Sequence, residues 1–154
     1  MIALALFLLA GSVVGWKMHQ AVAKKRFEAD LARFESQLSV CQRLAVTTQA
    51  DWKGILKKEK EGWTFEAICI DDPRAKKLKP LHLHSFTLTF NGRKTEEAEF
   101  DFFSTGKTLP EGTFQFIQSG QSTPIQKEWN LPAIFHTETS KESKKSPLHP
   151  DEQN

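Results

Sequence analysis

The chain has 154 residues, with twelve Phe, four Trp, no Tyr and two Cys, and its 21 basic and 19 acidic residues leave a net charge of +2. This length accommodates one domain with appendages, and two cysteines are too few for a disulfide-stapled scaffold. The balanced charge argues against an obligate nucleic-acid binder, which needs a concentrated basic face, so we expect no nucleic-acid partner.

An uncharged stretch, MIALALFLLAGSVVGW, occupies residues 1–16. It does not fit a cleaved secretory signal, because no basic region precedes it and no small-x-small cleavage site follows its apolar core. Sixteen residues fall just short of the ~17 that a free-standing membrane helix needs. The basic residues after the stretch would also hold the C-terminal side in the cytoplasm. Both difficulties disappear if more apolar residues and a basic leader lie upstream, so we expect residues 1–16 to be the membrane-spanning half of a longer helix.

Residues 17–58 are predicted to continue this helix as an amphipathic half, since they contain no Pro and only Gly54. Apolar or small residues recur there in steps of 4, 3, 4, 3, 4, 3 and 4, which place them in one stripe. The stripe consists of Phe27, Leu31, Phe34, Leu38, Cys41, Ala45, Thr48 and Trp52. Its mixed side-chain sizes favour packing on a sheet over a coiled-coil seam. Lys24–Glu28 and Arg26–Asp30 are predicted i,i+4 ion pairs on the helix.

Strand-like segments follow the predicted helix. GWTFEAICID places Trp63, Phe65, Ala67 and Cys69 on one strand face. Next, LHLHSFTLTF (81–90) leads into Asn91-Gly92, a strong hairpin signal that pairs position 90 with position 93. This register switches the apolar face midway, which predicts a bulge near Ser85 or a longer loop.

Three further segments complete the predicted fold. Two aromatic strands, ending at Phe103 and starting at Thr113, flank a Gly- and Pro-containing loop, and PAIFHTE is predicted as the last strand. Residues 59–136 would thus form a globular antiparallel sheet, whereas the polar residues 137–154 are predicted to be a disordered tail. The sequence therefore predicts an α+β fold in which a long N-terminal helix packs on an antiparallel β-sheet.

Two segments resemble one protein family. MIALALFLLAG resembles the sequence that follows the processing site of type IV pilins and type II secretion pseudopilins, although the basic leader and the Phe-Thr-Leu-x-Glu start of that family are not in this sequence. The segment 100–116 resembles the strand–Gly-loop–strand of H-type minor pseudopilins and FimT-like pilins. The resemblance implies a pilin-like fold, prepilin processing and methylation, and it places the missing start upstream of Met1.

The resemblance also implies a structural function. The protein would be a single-pass protein of the bacterial inner membrane, with its globular domain in the periplasm. It would assemble with other pseudopilins or pilins and inner-membrane secretion components into a periplasmic filament for protein export. Contacts in the filament core and with membrane lipid would come from Ile2, Leu4, Leu6, Phe7, Leu8, Leu9, Val13 and Val14. The alternative is a membrane-anchored periplasmic binding domain that does not polymerise.

Cys41 lies on the helix stripe and Cys69 on the aromatic face of its strand, so both patterns direct these thiols toward one core. Two interpretations remain open. In an oxidising compartment the pair could form a disulfide. Otherwise the two would be buried free thiols that act as small apolar groups.

Little in the sequence indicates catalysis. His82 and His84 share one predicted strand face, but a metal site needs a third and usually a fourth ligand, so exposed histidines are the simpler interpretation. Glu97, Glu99 and Asp101 form a comb of like charges that is typical of a solvated face. The basic segment PRAKKLKP is interpreted as a loop, with contact to lipid or DNA phosphates as the alternative. We expect no enzymatic activity, no metal and no cofactor, and a small hydrolase or metal enzyme is the least favoured hypothesis.

Overall fold

The computed structural model of the chain describes residues 2–72, 77–118 and 124–135, with residues 2–14 and Trp16 described by their backbone only. The chain begins with one helix of 47 residues, α1 (Ile2–Thr48). The strands that follow are β1 (Trp52–Lys58), β2 (Trp63–Cys69), β3 (Leu81–Leu83), β4 (Thr87–Phe90), β5 (Arg93–Thr95), β6 (Glu97–Phe102), β7 (Thr108–Leu109), β8 (Gly112–Gln118) and β9 (Ile125–Leu131). A turn of 3-10 helix, Ala133–Phe135, comes after β9.

The strands form two antiparallel sheets. The first sheet has the order β3-β2-β1-β6-β7, and the second sheet has the order β5-β4-β8-β9. The predicted α+β class, with one N-terminal helix packed against antiparallel strands, is confirmed. The sequence predicts one sheet, however, and the structure divides it into two.

Helix α1 ends at Thr48, so the helix predicted over residues 17–58 is wrong beyond that point. Gln49 adopts a left-handed backbone conformation with φ of 51°. The N–H of Ala50 donates to the carbonyl of Ala45 at 3.2 Å, which closes the last turn.

The last residues of the predicted helix form β1 instead. This strand lies at the centre of the first sheet, hydrogen-bonded to β2 on one side and to β6 on the other. Its burial alternates, with Trp52, Gly54 and Leu56 buried and the residues between them half-buried. Pairing on both sides supplies the backbone hydrogen bonds that a helix would otherwise provide. The helical spacing of Trp52 is therefore a coincidence.

The predicted hairpin turn is confirmed, but the two arms of the hairpin are interrupted. Phe90 pairs with Arg93, and Asn91 and Gly92 both have positive φ, of 47° and 78°. Residues 84–86 carry the chain from the first sheet to the second, and the chain returns to the first sheet after β5. The switch of apolar face that the register predicts is thus resolved by a change of sheet.

The segment 100–116 is not a hairpin within one sheet. Strand β6 pairs with β1 and β7 in the first sheet, whereas β8 pairs with β4 and β9 in the second. The two aromatic strands instead face each other across the core, where the rings of Phe100 and Phe114 lie 5.3 Å apart. The two strands that flank the loop therefore do not pair with each other, because sequence proximity does not determine which strands pair.

The last strand of the described chain is β9, which precedes the predicted segment PAIFHTE. Residues 133–135 of that segment form the 3-10 turn, so the strand prediction there is wrong. Strand β9 lies at the edge of the second sheet and buries only Trp129 and Leu131, which leaves it with no strong apolar pattern. The predicted disordered tail, 137–154, and His136 lie outside the described residues.

The core lies where α1 meets both sheets. The ring of Phe34 is fully buried and contacts Phe65 and Phe100 of the first sheet and Phe116 and Trp129 of the second, with centroids 5.1–6.1 Å apart. Burying one such side chain contributes about 1.5–3 kcal/mol before conformational entropy is counted. Helix α1 is therefore the element that holds the two sheets in one core.

Candidate functional site

The described side chains of α1 divide the helix into an exposed part and a packed part. Burial begins at Phe27, and the described side chains from Gly15 to Arg26 are exposed or half-buried. Gln118 at the end of β8 contacts α1 one turn before Phe27, where its Nε2 donates to the carbonyl of Ala23 at 3.1 Å. The helix thus extends well beyond the sheets at its N-terminal end.

The predicted filament-core residues lie on this extension. The backbone from Ile2 to Val14 is helical, and its side chains lie outside what the structure describes. Within the described residues, no helix contains a segment both long enough and apolar enough to cross a membrane. The membrane-spanning assignment of residues 1–16 therefore stays a prediction.

The predicted helix stripe is buried from Phe27 to Ala45. Phe27, Leu31, Phe34, Leu38 and Cys41 are each 4% exposed or less. Trp52 is also buried, but it reaches the core from β1, so its assignment to the helix is wrong.

Asp30 is a core position that the sequence analysis missed. Its side chain is buried and contacts His84, whereas the sequence predicts an i,i+4 ion pair with Arg26. A signal was present in the sequence, because Asp30 follows Phe27 by three residues and precedes Phe34 by four, which places it on the apolar face.

The carboxylate of Asp30 binds the 84–86 crossing, the segment that connects β3 in the first sheet to β4 in the second. Its Oδ2 accepts the backbone N–H of His84 at 2.8 Å and lies 2.6 Å from His84 Nδ1. An ionised carboxylate only accepts hydrogen bonds, so Nδ1 must carry the proton in this pair. The arrangement fixes the imidazole at the 84–86 crossing and leaves Nε2 as the nitrogen that can meet a ligand.

The two histidines proposed as weak metal candidates are not brought together. His82 Nδ1 lies 3.1 Å from the hydroxyl of Thr64, whereas His84 pairs with Asp30. In the part of the chain that the structure describes, no three His, Cys, Asp or Glu side chains are grouped so that they could hold a metal ion.

Both cysteines are buried free thiols, so the disulfide interpretation is not supported. Burial raises the pKa of Cys41 to about 12, because the thiolate would lose its hydration. A thiol in this environment is a poor nucleophile and acts as a small apolar side chain.

Two acidic residues in and beside β6, Glu96 and Glu99, form solvated ion pairs. Glu99 Oε2 lies 2.7 Å from Lys53 Nζ, and this hydrogen bond raises the pKa of Lys53. Lys58 pairs with Glu96 at 3.0 Å and lowers the pKa of that carboxyl in the same way. In the basic segment PRAKKLKP, residues 73–76 lie outside the described residues, and Lys77 forms a β-bridge with Ile68.

A cavity of about 320 Å³ lies between α1, the 84–86 crossing and the end of β8. Its described lining combines three nitrogen-bearing basic side chains, three apolar residues and two neutral polar side chains. The lining residues are His19, Val22, Ala23, Arg26, Phe27, His84, Ser85 and Gln118. This cavity is the candidate binding site, because it joins the exposed part of the helix to the imidazole that Asp30 fixes.

No family model, no curated protein and no solved structure matches this chain. The resemblance to pilin-like proteins therefore stays a prediction from the sequence.

Proposed function

We propose that the protein is a structural, pilin-like subunit of the minor-pseudopilin kind. Its apolar N-terminal segment would anchor it in the bacterial inner membrane, with the globular domain in the periplasm. It would then enter a periplasmic filament, together with other pseudopilins or pilins and inner-membrane secretion components, for protein export. This role is mechanical and needs no catalytic residue.

One observation carries the proposal: α1 has an exposed N-terminal part and a C-terminal part that is packed on the sheets. The helix is continuous for 47 residues, yet the burial of its described side chains on the sheets begins only at Phe27. The 17 residues before His19, the first residue of α1 that lines the cavity at the end of β8, correspond to about 25 Å of helix. Such an extension has no use in a self-contained globular domain, but it suits a subunit that buries its helix among other helices.

The sequence of the extension supports the same role. Residues 2–14 carry no charge, so exposure of this apolar surface to water would be unfavourable. Each Leu or Phe that leaves water contributes about 1.5–3 kcal/mol, whether membrane lipid or a neighbouring helix covers it. A helix of this kind can therefore pass from lipid into a helical bundle at little net cost.

A labelling experiment tests the topology. Lys60 is exposed in the turn between β1 and β2, and both natural cysteines are buried, so K60C gives one reactive thiol. We expect a membrane-impermeant maleimide to label K60C of the full-length protein in bacteria with a permeabilised outer membrane. A variant that lacks residues 1–16 should lose membrane association. Labelling only after lysis of the inner membrane would refute the periplasmic placement.

A second experiment tests assembly. We expect the full-length protein to co-sediment with other pilin-like subunits, and L6E to abolish this by placing a charge in the helical bundle. V46E is the matched control, because Val46 is an exposed residue of α1 at 46% exposure. A protein that reaches the membrane correctly but never co-sediments would instead be the non-polymerising binding domain.

A further inference from the structure

We infer that the cavity beside Arg26 binds the phosphate group of a phosphate ester. The cavity lies between α1, the 84–86 crossing and the end of β8, and its volume of about 320 Å³ suits a small headgroup. Phosphate could reach it as the headgroup of a membrane phospholipid or as a soluble ester. A phospholipid ligand requires the membrane anchoring that we propose above. Binding of a soluble phosphate ester does not require it.

The electrostatics of the helix favour an anion. Between Gly15 and Phe27 the sequence holds Lys17, Lys24, Lys25 and Arg26 and no carboxylate. Asp30, the carboxylate that contacts the lining residue His84, is buried and engaged by its imidazole. Lys24 is paired with Glu28 at 3.9 Å, so the unpaired positive charge beside the cavity comes mainly from Lys25 and Arg26.

The basic groups of the lining come from two sides of the cavity. His19 and Arg26 are seven residues apart on one helix face, which corresponds to about 10.5 Å along the axis. His84 lies on the facing wall, from the crossing between the sheets. Arg presents a planar fork that matches phosphate oxygens, and Nε2 of His84 is the ring nitrogen that Asp30 does not occupy.

The apolar residues of the lining favour an ester over a free ion. Val22, Ala23 and Phe27 line the same cavity as the basic groups. Val22 is 45% exposed, although it is a large apolar side chain. A glycerol or acyl-glycerol group attached to the phosphate would cover this surface, whereas inorganic phosphate would not.

The first test uses the full chain in maltoside micelles, with sn-glycerol 3-phosphate as the probe and histidine ring NMR signals as the readout. We expect the His19 and His84 signals to shift and saturate, while the His82 signals stay in place because His82 lies on β3 beside Thr64. The R26Q variant should weaken binding by at least about tenfold, because a hydrogen bond between charged groups is lost.

The matched control is K25Q, which removes the same charge one residue away without touching the cavity. We expect K25Q to change the affinity by less than about twofold, since an exposed charge at that distance acts only through screened electrostatics. Equal losses in R26Q and K25Q would mean diffuse attraction and would overturn the proposal. So would shifts of all three histidines together, or no saturable shift at all.

The second test distinguishes the sources of phosphate. Micelles doped with phosphatidylglycerol are compared with micelles doped with the neutral diacylglycerol. Shifts of His19 and His84 on doping with phosphatidylglycerol assign the lipid headgroup, and shifts with the soluble ester alone assign a soluble ligand. If a short DNA duplex shifts these signals and neither ester does, the site binds nucleic acid and the proposal fails. None of these outcomes depends on filament assembly, which the L6E experiment tests separately.

Discussion

Asp30 illustrates how one polar residue can organise a largely aromatic core. A buried carboxylate is costly unless it is hydrogen-bonded, and here two donors of His84 satisfy its Oδ2. The pair ties the helix to the 84–86 crossing, where the chain leaves the first sheet for the second. Asp30 is therefore best understood as an anchor, and the imidazole that it orients is available to the cavity.

This role predicts a loss of stability in D30A. Removal of the buried carboxylate leaves the partly buried N–H of His84 without its acceptor, so we expect the free energy of unfolding to fall by about 1–3 kcal/mol. Urea denaturation measures the change. E28Q is the control, because Glu28 forms an exposed pair with Lys24 at 3.9 Å and its loss should cost less than about 0.5 kcal/mol. Equal effects of the two substitutions would contradict the anchor.

Cys41 predicts a specific pH dependence. Its pKa is raised from 9.0 to about 12 by burial, so the folded protein holds this proton where the unfolded chain loses it. The contribution of Cys41 to the free energy of unfolding is therefore fully present below pH ~9. It is lost as the pH rises from ~9 toward ~12. At pH 10 the wild-type protein should lose about 1 kcal/mol more than C41A, relative to pH 7. Parallel pH profiles of the two proteins would contradict this explanation.

Among the elements, β1 is the one whose identity matters most for the fold. It is the central strand of the first sheet, and both of its neighbours pair with it over six or seven residues. Gly54 lies at its middle, and a methyl group there would come within 2.6 Å of the ring of Phe65. Glycine is thus required for close packing of the ring on the backbone.

G54A distinguishes the strand from the helix that the sequence predicts. On β1 we expect a loss of about 1–3 kcal/mol in unfolding free energy, because the methyl group overpacks the core. In a helix the same change would stabilise by about 1 kcal/mol. G15A is the matched control, since Gly15 is helical with no atom within 4 Å of an added methyl group, and it should not destabilise. A higher free energy of unfolding in G54A would contradict the assignment of Gly54 to a strand.

In the molecule as a whole, two sheets depend on one helix for a shared core. Phe34 contacts both sheets, and Phe100 and Phe114 meet across them. Since neither sheet covers its apolar face without the other, they are expected to unfold together.

F34A tests this dependence. We expect a loss of about 3–5 kcal/mol and faster hydrogen exchange in both sheets, followed at the amides of Leu56 in β1 and Phe116 in β8. F135A is the control, because Phe135 is half-buried and contacts Phe102 at a centroid distance of 6.4 Å. Faster exchange in only one sheet would show that the sheets are independent.

Local patterns in the sequence were sufficient for the helix stripe, the buried face of β2 and the hairpin turn. Phe27 to Ala45 repeat with the period of a helix, and Trp63 to Cys69 alternate as on a strand, so periodicity identifies the buried face in each. Asn91-Gly92 allows positive φ at little cost, and this local property sets the register of the turn.

Features that depend on distant partners required the tertiary structure. Residues 52–56 fit a helix and a strand equally well by pattern, and pairing with β2 and β6 decides between them. The division into two sheets and the contact of Asp30 with His84, 54 residues away, arise in the same way. The physical reason is that periodicity reports which face of an element is apolar, whereas strand pairing and buried polar contacts are chosen by groups far apart in the chain.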